Sequence, residues 1–422
     1  MTSIPVHDTE KGPPSPTLSV AEKEHSESVH NETLASSKED AATPIEQETK
    51  PAEQAAPPPA LDWDDEHDPD NPHNWSASKR AYNTFVPGLL GLAITFGSSI
   101  YTPSYHEIAE RYNISSVAAL VPLSVWTFGL GFGPMLGAPL SEMHGRKIVY
   151  MISTPLSLLF TMGAGLSTSF SGIVICRFFG ALFGSPILAV GAGTIADIYP
   201  PRDRAQGAAS FVAAPFLGPA LGPFVGGFAI MNKNYRWTNW AELMVLGAAG
   251  ILSLFLSESY KKIILRRRAI RRGIEMPPAP RPPAKVLVQL LLLKPLSMLA
   301  LEPIVQGFSL YVAFAFAVLF AFFAAFPIVF TGVYHFNPGE AGMAFFGVGI
   351  GVLLGVASAI IGDRLVYRKK LDAAAANGTL PLPPEERLFP AMVGSLGLPI
   401  GLFWYVNAAA LIRAWAEWLT DL

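Results

Sequence analysis

From Ala81 onward the chain keeps returning to apolar stretches of about 20 residues, and no other feature constrains its fold as strongly. A helix needs roughly that many residues to cross about 30 Å of hydrocarbon, and there every backbone polar group must be satisfied within the segment. Nine such stretches are read, at 81–101, 117–140, 148–166, 173–198, 208–230, 240–256, 303–330, 341–361 and 388–406. A further apolar run, 286–301, is shorter and is interrupted by Lys294 and Pro295. It is expected to lie on the membrane and lead into the seventh span. The expected fold class is therefore all-α, a polytopic membrane helical bundle. Composition agrees, since only 15% of the residues are charged where soluble domains carry about 25%.

The net charge of −3 conceals two unlike pieces, −11 over residues 1–80 and +8 over residues 81–422. Residues 1–60 are rich in Glu, Ser, Pro, Ala and Thr, cannot bury enough apolar surface to offset their ordering entropy, and are expected to be disordered. They have no apolar core behind a basic start, so the first span is expected to act as the targeting signal. Next, Asp62, Asp64, Asp65, Glu66, Asp68 and Asp70 crowd beside Trp63 and Trp75. A calcium loop is not expected, because the turn glycine and the twelfth-position Glu are missing. The segment reads as solvated acid with Trp anchors at the membrane surface.

If that tail is cytosolic, the inner connections carry 21 Lys/Arg and the outer loops only Arg111, Lys233 and Arg236. The positive-inside rule then orients the bundle with its N-terminus in the cytosol. Ten of the inner cations fall between Lys261 and Lys294; the run 261–272, KKIILRRRAIRR, either anchors topology or attracts anionic lipids. Asn113-Ile-Ser115 is a glycosylation acceptor in the first outer loop.

Several function classes lack their chemistry. The single Cys176 allows no disulfide framework and no multi-Cys metal site. The eight His residues do not gather at membrane depth as an embedded enzyme would need, and no metal or other cofactor is expected. No Gly-Lys phosphate loop exists, which leaves an ion gradient as the energy source for any transport. Nothing points to nucleic acid. The expected partners are a small-molecule substrate, protons and the lipid bilayer.

Three local patterns go further. Ala138-Pro-Leu-Ser-Glu142-Met-His-Gly145-Arg146-Lys147 follows the second span, Arg177-Phe-Phe-Gly180-Ala-Leu-Phe-Gly184 lies in the fourth, and Gly218-Pro-Ala-Leu-Gly222-Pro223-Phe-Val-Gly226-Gly227 lies in the fifth. In their order and placement they resemble the three signature motifs of the major facilitator superfamily. Asp68-Pro-Asp-Asn-Pro-His-Asn-Trp75, Tyr235-Arg-Trp-Thr-Asn-Trp240, Phe326-Pro327 and Asn337-Pro-Gly-Glu340 are similar to its fungal twelve-span drug:proton antiporters, in the branch associated with polyamines, cycloheximide and azoles. A seven-span receptor has no place for these motifs. The resemblance implies two six-helix halves that rock about a midplane site, with the fungal plasma membrane as the expected location and the vacuolar membrane as the alternative.

The resemblance also implies roles. Glu142, Gly145, Arg146 and Lys147 would gate the inner face, Glu142 pairing with the adjacent cations; a topology anchor is the alternative. Arg177, too costly to leave unpaired in a span, would contact span one and take part in proton coupling, or else serve as a structural hydrogen-bond donor. Gly218, Gly222, Pro223, Gly226 and Gly227 would form the antiporter motif, sealing span five against its neighbour. Tyr311, Phe314, Phe320 and Phe323 would line a substrate cavity, or face lipid. Ala324 stands where the family pattern has Glu, and Glu242, Glu302, Glu340 and Asp197 are read at span ends. With no carboxylate at mid-depth, lipophilic or weakly basic compounds are expected over polyamines.

The expected organisation is an acidic tail (1–80), a complete six-helix half (81–257), a basic loop (258–302), an incomplete C-terminal half (303–407) and a divergent amphipathic tail (408–422). Nine spans are three fewer than the motifs imply. The expectation is proton-coupled export by alternating access; the alternative is a truncated, non-transporting protein or a partner of a full-length transporter.

Overall fold

The computed structural model describes residues 62–274 and 293–378, together with positions 283, 286, 289, 383, 385–386, 391–392, 394–397 and 399–403. The acidic tail before residue 62 and the amphipathic tail after 407 lie outside the described residues, as do positions 388–390, 393, 398 and 404–406 of the ninth apolar stretch. Among the described residues, seven helical segments are long and apolar enough to cross a membrane.

The first half is built from α1 (Ala77–Ile100), α2 (Tyr105–Tyr112), α3 (Ser116–Ala119), α4 (Val121–His144), α5 (Arg146–Leu166), α6 (Phe170–Gly184), α7 (Pro186–Ile198), α8 (Arg204–Asn232) and α9 (Arg236–Ser253). Local chemistry sets several boundaries. Ser76 caps α1 by accepting from the Lys79 N–H, and Ser169 caps α6 by accepting from the Gly172 N–H at 3.1 Å. The fourth stretch is two helices rather than one, because Pro186 has no N–H to continue the ladder past Ser185. Pro215, Pro219 and Pro223 sit inside the continuous helix α8, which a bundle tolerates because neighbours help satisfy the groups they free.

The main core joins Val86, Leu90, Ala93 and Ile94 of α1 to Val149 and Tyr150 of α5, Ile187 and Val190 of α7, and Leu246 and Ala249 of α9. α1 packs most extensively on α8, while α6 lies between α4 and α5.

After α9 come α10 (Lys261–Arg271), α11 (Lys294–Leu301) and α12 (Pro303–Gly332). α11 adjoins α12 through a break at Glu302, as a lead-in to the seventh span requires. Asn337 and Glu340 form a reciprocal capping box that starts α13 (Pro338–Met343), followed by α14 (Phe346–Gly362) and α15 (Arg368–Ala376). This last arm extends to Ala376, beyond the eighth apolar stretch, since Arg-Lys-Lys-Leu-Asp-Ala-Ala-Ala-Ala consists almost wholly of strong helix formers. α8 joins the two parts, with α1 on one side and α13 and α14 on the other.

Candidate functional site

Arg177 is 1% exposed and lies at the centre of the first half. Its Nη2 donates to the Gly97 carbonyl of α1 at 2.5 Å, and its Nε to the Pro122 carbonyl of α4 at 3.4 Å. The guanidinium carbon stands 4.6 Å from the Trp126 ring and 4.9 Å from the Tyr101 ring. Nη1 faces Glu242 Oε2 of α9 at 3.7 Å, with the carboxylate fully buried. Thr161 of α5 donates to the other Glu242 oxygen at 3.4 Å. Among the described residues neither Arg177 Nη1 nor Glu242 Oε2 has a hydrogen-bond partner, so the pair is held together by charge and surroundings. Five helices converge on this cluster. The expected contact of Arg177 with span one is present. The placing of Glu242 at a span end is corrected: α9 begins at Arg236, so Glu242 lies nearly two turns inside it, facing Gly97 and Trp126.

Sequence reasoning missed Glu242 as the partner of Arg177. The available signal was electrostatic, because a buried Arg needs a carboxylate and few Asp/Glu lie within the spans.

The second cluster is at the end of the bundle that carries Gly145, here called the basic end. Gly145, at φ +103°, turns the chain directly from α4 into α5, and a methyl group added there would lie 2.8 Å from the Glu258 carboxyl carbon. Glu258 accepts the Arg146 N–H at 2.8 Å and the Lys147 N–H at 3.2 Å. Arg146 donates to Asp197 at 2.9 Å and to Ser141 at 2.6 Å, while Ser259 donates to the same Asp197 oxygen at 3.3 Å. The expected pairing of Glu142 with Arg146 and Lys147 is corrected. Glu142 is exposed and makes no ion pair among the described residues; Asp197 and Glu258 take its place. They win because α7 and the segment after α9 pack against the α4–α5 turn, whereas Glu142 points off its helix. Across the halves at this end, Arg368, also held by Asp363 of its own half at 3.0 Å, bonds Asp203 at 3.1 Å, and Arg202 pairs with Asp372 at 3.2 Å.

The glycines of α8 make a close seam. Methyl groups on Gly218 and Gly222 would each come within 2.7 Å of α1 backbone atoms, at Leu92, Phe96 and Ile100, and Gly226 also lies against Ile100. Gly227 lies against Pro338 and Gly339, and Pro223 against Gly342. The motif thus seals α8 on two sides, against α1 and against α13.

A cavity of about 640 Å³ lies between α4 and α12, lined by Leu123, Ser124, Thr127, Phe128, Gly131, Phe132, Met135 and Phe320. No charged group lines it. Of the four aromatic residues expected there, only Phe320 reaches it. Phe323 is buried against Phe345, with ring centroids 5.4 Å apart, and Tyr311 and Phe314 are exposed on α12. At 3.6 residues per turn, positions 311 and 314 fall on the opposite side of the helix from 320 and 323.

The acidic segment before α1 is corrected too, since it is docked rather than solvated. Arg268 of α10 bonds the buried Asp68 at 2.5 Å and lies 3.5 Å from Asp64, while Lys261 bonds Asp62 at 2.7 Å and Arg272 pairs with Asp64. Lys261 and Arg268 also lie over the Trp63 ring. Among the described residues no group of acidic, His or Cys side chains is arranged to hold a metal.

Residues 88–418 match the sequence profile of the Major Facilitator Superfamily. The chain is 40% identical over 394 residues to polyamine transporter 4 of Saccharomyces cerevisiae, covering 86% of this chain and 59% of that protein. It is 34% identical over 360 residues to the MFS-type transporter traF of Penicillium crustosum, covering 85% of this chain and 73% of that one. In fold it is similar to the proton:xylose symporter XylE, with a TM-score of 0.52 at 17% identity, over 69% of this chain and 70% of that structure.

Proposed function

The chain belongs to the major facilitator superfamily, and from that premise we propose that it exports small lipophilic or weakly basic compounds by alternating access, driven by protons. Members of this family are transporters and not enzymes. The observation that carries the substrate class is the cavity between the two halves, whose walls are Phe, Leu and Met with two hydroxyls and no carboxylate. Such a lining suits apolar bodies with a few polar groups. A polycation would meet no counter-charge there. Polyamines are the second reading, favoured by the 40% identity to the yeast protein of that name.

Arg177 and Glu242 form the proton site in this proposal. Ionised, Glu242 balances the guanidinium; protonated, it leaves Arg177 to the Gly97 carbonyl and the two aromatic rings. Either state changes what holds α1, α6 and α9 together, which couples a proton to helix packing. The basic end is assigned to the cytosol, with the Arg146–Asp197–Glu258 cluster bracing the first half and Arg202, Asp203, Arg368 and Asp372 latching it to the second. The plasma membrane is the proposed location.

The full 422-residue chain, reconstituted in liposomes with an imposed pH gradient, should move a fluorescent lipophilic amine and release protons in exchange. Phe132→Trp should narrow the cavity and raise the KM for that amine, and Arg177→Lys should uncouple transport from the gradient. Equal dye movement with the gradient collapsed would overturn the coupling. Preferential movement of spermidine, with no dye movement, would replace the substrate class.

A further inference from the structure

α10 carries more cations than its docking uses. Lys261, Arg268 and Arg272 lie on one side and are taken up by Asp62, Asp64 and Asp68, with Leu265 and Ala269 buried beside them. At 3.6 residues per turn the opposite side of the helix carries the half-buried Ile263 and the exposed Ile270, flanked by Lys262, Arg267 and Arg271, and Ile274 follows the helix end after Gly273 turns the chain at φ +73°. Ile270 is 60% exposed and Ile274 39%. Lys262, Arg267 and Arg271 are exposed and make no ion pair among the described residues. The acidic strap thus sorts the helix, neutralising one face and leaving an apolar stripe between uncompensated cations on the other.

We propose that α10 is a peripheral membrane-binding element, Ile263 and Ile270 on its outer side and Ile274 just beyond its end seating in the leaflet at the basic end and Lys262, Arg267 and Arg271 meeting anionic lipid headgroups. Placement supports this occupant. Only residues 254–260 separate α10 from α9, and Glu258 ties that link to the α4–α5 turn. The helix is therefore held at the end of the bundle, where the surface potential of an anionic leaflet reaches over a Debye length of about 8 Å. Cations needed only to set topology would require no apolar row between them. An isoleucine stripe bordered by Arg and Lys is the pattern of a helix lying in the headgroup boundary. The strap orients it: with Asp68 holding Arg268 and Trp63 under Lys261, rotation of α10 about its axis would break the ion pairs.

The test uses the full chain in nanodiscs of phosphatidylcholine alone or with phosphatidylserine. In a Cys176→Ala background, Ile270→Cys is labelled with an environment-sensitive dye, and a headgroup-depth nitroxide lipid serves as quencher. The dye should be blue-shifted and quenched in the anionic discs. Arg267→Gln with Arg271→Gln should lower the docked-to-undocked ratio about thirtyfold, as expected for two surface charges. A label at Glu66→Cys, on the exposed side of the strap, should stay unquenched in both discs. Quenching at 270 that ignores phosphatidylserine and the two Arg substitutions, a dye that stays in water in both discs, or equal quenching at 66 and 270 would overturn the proposal.

Discussion

Replacing Glu242 with Gln keeps its shape and removes its charge, leaving Arg177 buried with no counter-ion. The two charged atoms are 3.7 Å apart and almost inaccessible. At an effective dielectric of about 20 their attraction is roughly 4 to 5 kcal/mol, and breaking a buried pair from one side costs about 3–5 kcal/mol. The remaining support for the guanidinium consists of two carbonyls and two aromatic rings, none of which carries charge. Glu242→Gln should therefore destabilise the folded protein by about 3 kcal/mol. Arg177→Gln should cost a similar amount by stranding the carboxylate. The double substitution should cost about 4 kcal/mol rather than the additive sum of about 6, a coupling of about 2 kcal/mol, within the range of contacting residues. Unfolding by SDS titrated into detergent micelles, followed by tryptophan fluorescence, measures all three. Additive losses, or a cost below about 1 kcal/mol for Glu242→Gln, would refute the claim that these groups act as a pair.

Gly222→Ala should cost about 1–3 kcal/mol in the same titration, because its methyl group would lie 2.7 Å from the Ile100 backbone. Gly351→Ala on α14, where nothing lies within 4 Å, should be neutral or slightly stabilising. The strap should resist mild acid. Burial opposes ionisation of Asp68, but the Arg268 guanidinium and the Asp64 and Asp70 N–H groups outweigh it and hold the carboxyl below its ordinary 3.8; Asp64 is lowered chiefly by Arg272. With the folded pKa below the unfolded one, this stabilisation is complete above the ordinary value and is lost as pH falls through the lowered one. Hydrogen exchange in residues 62–75 and 261–271 should accordingly be protected equally at pH 5 and 8. Asp68→Asn should speed that exchange by about tenfold or more, the worth of one charged hydrogen bond. Asn113, exposed at φ +50° beyond α2, should accept a glycan if the far end of the bundle faces the secretory lumen, giving a gel shift that Ser115→Ala removes.

The span pattern was legible in the sequence because membrane insertion is decided locally, by the length and apolarity of one segment. The need of Arg177 for acceptors and the close-packing use of the α8 glycines were legible for the same reason, since each follows from a single residue in hydrocarbon. Which groups meet was not. Glu242 is 65 positions from Arg177 in sequence, and Asp197 and Glu258, not the nearby Glu142, reach Arg146 and Lys147. Asp68 and Arg268 find each other across the entire first half. The aromatic residues of α12 could have been divided by helical periodicity, but not the choice of side that faces α4. These pairings depend on which helices become neighbours and how each is rotated, and that is settled by packing of whole surfaces. A sequence specifies the charges that have to be compensated; the tertiary structure decides their partners, because in a medium that hydrates no ion the nearest opposite charge is a property of the fold.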